Sequence, residues 1–167
     1  RTYPFAFTES FIGGLLNLDH PQLALTYDYE LGPEDTELRL TITLHNDGVR
    51  TQKLPLPVMM ANFGDGAMAY TPGYGFDYDA AGLDIPYYVA SGRDLGYGFH
   101  PERQDLVNLF GYAGVTILQM DELEVRVGQS EQRRFWFSVS DNGPAGIANS
   151  HRALVADTTP LGTVSGQ

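Results

Sequence analysis

The clearest alternation in the chain runs through residues 37–45. Leu38, Leu40, Ile42 and Leu44 alternate there with Glu37, Arg39, Thr41 and Thr43. Successive side chains of a strand point to opposite faces, so this pattern predicts a strand with one buried and one wet face. Residues 22–31 keep the same period, with Leu23, Leu25, Tyr27 and Tyr29 on one side. Residues 130–140 predict a long strand, with Phe135, Phe137 and Val139 on one face and Trp136 on the other. Residues 122–127 alternate Glu122, Glu124 and Arg126 with Leu123, Val125 and Val127. Apolar stretches at 106–112 and 114–120 predict two more strands, and residues 3–8 suit a first one. Residues 51–60 are extended, but Pro55 and Pro57 have no amide hydrogen, which places them on an edge or in an irregular strand.

Turn residues separate these segments. Gly32-Pro33-Glu34-Asp35 and Gly128-Gln129 reverse the chain, and Asn46-Asp47-Gly48 is a turn of residues that tolerate positive φ. Only residues 146–156 suit a helix, with Ile147, Leu154 and Val155 as its apolar positions. Several strands, many turns and one late helix predict an all-β antiparallel sandwich. The intervening stretch 61–101 is rich in Gly and Tyr. It predicts long loops, with a short strand at 85–90 and another near Tyr97.

At 167 residues, one domain with a sizeable core is expected. We place a β-sandwich domain at 1–160, and a linker or the first strand of a following module at 161–167. The chain begins with Arg1, and its end, Thr163-Val164-Ser165-Gly166-Gln167, resembles an opening strand. Both ends are expected to belong to a longer precursor. The formal net charge is −11. Such a surface repels phosphate backbones and anionic lipid, which speaks against nucleic acid and bare membrane as partners. It is compatible with cations and with neutral ligands such as sugars. No apolar run is long enough to span a bilayer. Cysteine is absent, which removes disulfides, thiolate metal sites and a cysteine nucleophile. One lysine, many tyrosines and an acidic balance fit a secreted or surface-exposed bacterial protein.

The candidate chemistry concentrates at 61–101. Asp77 and Asp79 have a DxD spacing, with Asp65 and Asp84 nearby, and carboxylate oxygens suit Ca²⁺. The spacing is not that of an EF-hand, and the alternative is that these acids cap turns. Tyr70, Tyr74, Tyr78, Tyr87, Tyr88 and Tyr97, with Phe76 and Phe99, are candidates for a sugar platform or a protein interface. The alternative is that these rings pack the sandwich. His20, His45, His100 and His151 show no metal-ligand spacing, and each lies beside a turn or a helix flank. No GxSxG elbow is present, and the Gly-rich segments lack the Lys and helix of a phosphate loop.

Leu38-Arg39-Leu40-Thr41-Ile42-Thr43-Leu44-His45-Asn46-Asp47-Gly48, followed by Leu54-Pro55-Leu56-Pro57-Val58, resembles the strand–turn–strand of galactose-mutarotase-like β-supersandwich domains. Residues 88–92, 95–99 and 134–139 look like a non-catalytic version of that domain, and the resemblance spans about two thirds of the chain. Such versions occur in large secreted bacterial proteins, ahead of carboxypeptidase-regulatory-like or metallohydrolase modules. The resemblance carries over no catalytic residue, because the mutarotase pair of histidines and late glutamate have no counterpart here. It implies a non-catalytic module that binds a polysaccharide or a neighbouring protein domain. A structural subunit of an extracellular assembly, self-associating through terminal strands, is the second expectation. A carbohydrate-active enzyme, an epimerase or lyase, is the third, and it requires a histidine and an acid or tyrosine to converge in one cleft.

Overall fold

The structure is a computed structural model, and it describes residues 2–3, 23–61, 68–76, 82–102, 106–112 and 115–159. Its strands are β1 (Thr2–Tyr3), β2 (Leu23–Glu30), β3 (Glu37–Asn46), β4 (Gln52–Ala61), β5 (Met68–Thr71) and β6 (Gly75–Phe76). They continue with β7 (Asp84–Ile85), β8 (Tyr88–Ser91), β9 (Gly96–Pro101), β10 (Leu106–Tyr112), β11 (Val115–Val125) and β12 (Ser130–Ser140). One helix, α1 (Gly143–Leu154), follows. The strands form two antiparallel sheets. The larger has the order β1-β2-β3-β12-β9-β8-β5-β6, and the smaller has β4-β11-β10-β7.

The sheets pack face to face, as the alternation predicts. Leu23, Leu25, Ile42, Leu44, Phe99 and Phe135 of the larger sheet share one core with Leu54, Leu106, Leu118, Met120, Leu123 and Val125 of the smaller. Phe99 and Phe135 stack there with ring centroids 4.8 Å apart. The fold is therefore an all-β sandwich. The apolar stripe of β2 runs out of core before the strand ends: Leu23 and Leu25 are buried, but Tyr29 is 65% exposed.

Prolines mark two departures from the simplest pattern. The two strands expected at 114–120 and 122–127 are one strand, β11 (Val115–Val125), whose pairing with β4 shifts between Met120 and Leu123. The partners there are Leu56 and Leu54, so Pro55 faces the bulge and no amide hydrogen is needed from it. β4 is an edge strand of its sheet, where its two prolines are tolerated. The strand expected at 85–90 is two strands. β7 pairs with β10 in the smaller sheet and β8 with β5 and β9 in the larger, so the chain changes sheets at Pro86-Tyr87.

The link from β3 to β4 is not a positive-φ hairpin turn, because these strands lie in different sheets. Asn46 is fully buried, and it ties the corner together. Its Nδ2 donates to the carbonyls of Arg50 and Val125, both at 2.8 Å, while the Gly48 amide donates to its Oδ1 at 2.9 Å. Two further backbone bonds join Asn46 to Gly128 and Gln129 at the β11–β12 turn, where Gly128 has φ 70°.

The strands expected at 85–90 and near Tyr97 are present as β7, β8 and β9, and β5 and β6 add sheet where long loops were expected. β5, β6, β8 and β9 extend the larger sheet, and Tyr88, Val89 and Ala90 are all buried. A strand buried on both faces loses polar alternation. Here the second face is covered by α1, which contacts β8, β9 and β12. The helix begins three residues earlier than its apolar pattern indicates. Pro144 occupies its first turn, where the missing amide hydrogen costs nothing. Gly143, with φ 55°, makes the preceding bend.

Candidate functional site

The outer face of the larger sheet is divided into a covered half and an open half. Over the covered half, Ile147 of α1 is fully buried against Val89 and Tyr87, with Tyr70 and Ala148 packed around them. The helix comes this close because β9 has glycine beneath it. A Cβ on Gly98 would lie 2.5 Å from Ile147 Cγ2, 2.5 Å from Ser138 Oγ and 2.6 Å from His100 Nε2.

Four polar or aromatic groups meet under the helix. His100 Nε2 lies 2.7 Å from Ser138 Oγ, and His100 Nδ1 lies 3.3 Å from His151 Nδ1. Tyr87 stacks on His151 at 4.2 Å and on His100 at 5.5 Å. Two Nδ1 atoms can share a hydrogen bond only if one donates and the other accepts, which fails when both rings are protonated. Burial, with help from the neighbouring His151, pulls the His100 pKa down to about 3, so this ring is neutral. Burial also pushes the Tyr87 hydroxyl above its usual range, with a smaller effect from Tyr70. His100 and Ser138 are each 1% exposed. The cluster has the residue types of proton-transfer chemistry; His100 and Ser138 lie buried beneath the helix, while His151, on the helix, is partly exposed.

His45 makes a second arrangement. Its Nδ1 is 2.8 Å from Ser130 Oγ and its Nε2 is 3.0 Å from Asp47 Oδ1. These are the residue types of a hydrolytic triad. All three side chains lie on the surface, however, and none lines the cleft of about 100 Å³ bounded by Pro101, Glu102, Met120 and residues 132–135. No described histidine lines that cleft.

The aromatic residues singled out in the sequence are dispersed. Tyr88 and Phe99 are in the core between the sheets, and the Tyr88 hydroxyl is 3.3 Å from Thr116 Oγ1. Tyr97 packs at the margin of that core and stacks on Phe137. Tyr87 belongs to the histidine cluster. Tyr70 meets Phe76 edge to face at 5.1 Å across the β5–β6 hairpin. Tyr74, in the turn of that hairpin, is 56% exposed, and Phe76 is 48% exposed. Tyr70, Tyr74 and Phe76 thus form an aromatic tip at one edge of the larger sheet. Tyr78, Asp65, Asp77 and Asp79 lie outside the described residues, as do His20 and the stretch 161–167. Asp84 is exposed on β7. Among the described residues there is no group of three His, Asp or Glu that could hold a metal ion, and no helix is long and apolar enough to cross a membrane.

The open half of the outer face is polar, and the sequence reading attached no chemistry to it. Register aligns Glu30, Arg39, Trp136 and His100 in one row across β2, β3, β12 and β9. Directly opposed residues share a face, so Trp136 is on the same face as His100, next to the covered half. Arg39 pairs with Glu30 at 2.9 Å, Arg134 with Glu102 at 2.5 Å, and Gln132 donates to Thr43 at 3.1 Å. The period-two pattern did assign Arg39 and Thr43 to the wet face and Trp136 to the face opposite Phe135 and Phe137. It could not indicate that they are aligned in rows.

No family model matches the chain. No curated protein matches it at a significant level. Solved structures do resemble it. A polysaccharide lyase aligns with a TM-score of 0.56 at 12% identity, covering 80% of this chain and 22% of the lyase. A GH36 α-galactosidase from Geobacillus stearothermophilus aligns with a TM-score of 0.50 at 14% identity, covering 84% of this chain and 24% of the enzyme. A Synechocystis sp. PCC 6803 protein aligns over 84% of this chain and 60% of its own length, at 16% identity and a TM-score of 0.47. The chain therefore spans well under two thirds of each. At these identities the first two likenesses establish a shared β-sandwich fold, found within carbohydrate-active enzymes.

Proposed function

We propose that this chain is a non-catalytic carbohydrate-binding module of the galactose-mutarotase-like supersandwich type, acting as part of a larger secreted protein. The observation that carries this reading is the burial of the inner half of its best-formed polar cluster. His100 and Ser138 are each 1% exposed under α1, so these two groups are not presented at the surface. What stays accessible is suited to recognition: the aromatic tip of Tyr70, Tyr74 and Phe76, and the polar sheet face around Trp136.

The fold neighbours add support of a different kind. The polysaccharide lyase and the α-galactosidase each contain this sandwich in less than a quarter of their length. A fold does not carry its host's chemistry with it, but an accessory domain beside a sugar-processing module fits these proportions. The strand–turn–strand at 38–58 that resembles the supersandwich pattern forms β3, the Asn46 corner and β4.

Affinity electrophoresis through gels containing a panel of polysaccharides tests the proposal. Retardation by at least one polymer is expected, with no change in that polymer after long incubation. Unretarded migration throughout, together with an empty glycan array, would overturn it.

A further inference from the structure

We infer that Trp136 and the ion pairs beside it form a binding site for a neutral polysaccharide chain. This rests on the carbohydrate reading above and gives it a place and a ligand class. Trp136 is the only tryptophan in the chain. It stands partly exposed on a sheet face otherwise made of charged and hydroxyl-bearing residues. Thr41, Thr43, Gln132 and Arg134 share that face by alternation, and Thr26 and Asp28 continue it on β2. Trp136 belongs neither to the core between the sheets nor to the apolar cluster under α1.

The surroundings specify the ligand by charge. Glu30 neutralises Arg39, and Glu102 neutralises Arg134, on either side of the indole. A polyanion would find both arginines already paired, with Asp28 near and a net charge of −11 behind them. A polycation would likewise find Glu30 and Glu102 already paired. A neutral pyranose matches all of it. Its C–H face stacks on the indole, and its hydroxyls both donate and accept, as the paired guanidinium and carboxylate groups require. Strands are about 4.8 Å apart and rise about 3.4 Å per residue, so the floor across β2, β3 and β12 accommodates several consecutive rings along the strands. α1 bounds it along one side.

Because the chain has one tryptophan, its fluorescence reports on this site alone. Titration of the protein with neutral gluco-, galacto- and manno-oligosaccharides is expected to shift the emission saturably for at least one series. In affinity electrophoresis, Trp136→Ala is expected to lose about tenfold in affinity while Trp136→Phe keeps most of it. Tyr74→Ala/Phe76→Ala serves as the control at the other accessible aromatic group. Should Trp136→Ala fail to match the wild-type circular dichroism and urea midpoint, the wild-type fluorescence titration decides. Wild-type retardation without a fluorescence response, or lost only in the Tyr74/Phe76 variant, would overturn this site and leave the carbohydrate reading standing. Binding confined to uronic-acid polymers would overturn the neutral ligand. A dimer that Trp136→Ala dissociates, with no response to any glycan, would make a second copy the occupant and overturn the proposal. No binding to any polymer would end both readings.

Discussion

Asn46 shows how much one buried amide can hold. It makes three side-chain hydrogen bonds and two backbone ones, which join the ends of β3 and β11 to the β11–β12 turn. Asn46→Ala leaves two carbonyls and one amide without their partner in a dry corner, so about 2–4 kcal/mol of stability should be lost. Urea unfolding measures this, and a loss below 1 kcal/mol would mean that water replaces the side chain. His100 makes a prediction about pH. Its folded pKa of about 3 lies below the ordinary 6.5. Below pH 6.5 the unfolded chain takes a proton that the folded chain refuses, so stability falls as pH drops from 6.5 towards 3. The slope should approach about 1.4 kcal/mol per pH unit in that window, and His100→Gln should flatten it. Neither role was legible from the chain. The partners of Asn46 include a residue 79 positions away, and those of His100 are 38 and 51 positions away. Sequence position beside turns suits histidines that are either solvated or satisfied by polar partners, without telling which. Contact with the helix made His100 a buried one.

At the scale of elements, the period-two pattern was enough to locate β2, β3, β11 and β12, because each has one face in the core and one in water. It failed where that condition fails. β5 and β6 lie in the glycine- and tyrosine-rich stretch that suggested loops, and β8, within the short strand expected at 85–90, lies between a sheet and a helix, so Tyr88-Val89-Ala90 shows no alternation to reveal its two buried faces. The helix itself depends on few contacts. Ile147 is its one fully buried side chain, set on Gly98 beside Val89. Ile147→Ala should cost about 2–4 kcal/mol and loosen α1 more than the sheets. Hydrogen exchange tests this directly. Faster exchange confined to residues 143–154 is the expected result, whereas uniform loss of protection would show that α1 and the sandwich unfold as one unit.

For the molecule as a whole, the sandwich class was legible and the binding face was not. Alternation assigns residues to a wet face without saying which strands lie side by side. Only the order β2-β3-β12-β9 brings Glu30, Arg39, Trp136 and His100 into line. The charge distribution on that face leads to a prediction about salt. A neutral ligand meeting paired charges releases few counterions, so affinity for it should change less than about twofold between low and high salt. A steep salt dependence in affinity electrophoresis would point to a charged ligand instead.

The sheet edges bear on how the molecule behaves among its own copies. β1, β6 and β7 each extend for only two residues, and β4, the fourth edge, is interrupted by Pro55 and Pro57. A fibril grows when an exposed edge offers a row of free donors and acceptors to the next chain. Among the described residues, none of these four strands offers a long unbroken row. At high concentration the folded domain should resist strand-by-strand polymerisation through these four strands, and two such domains that do adhere should do so through their faces.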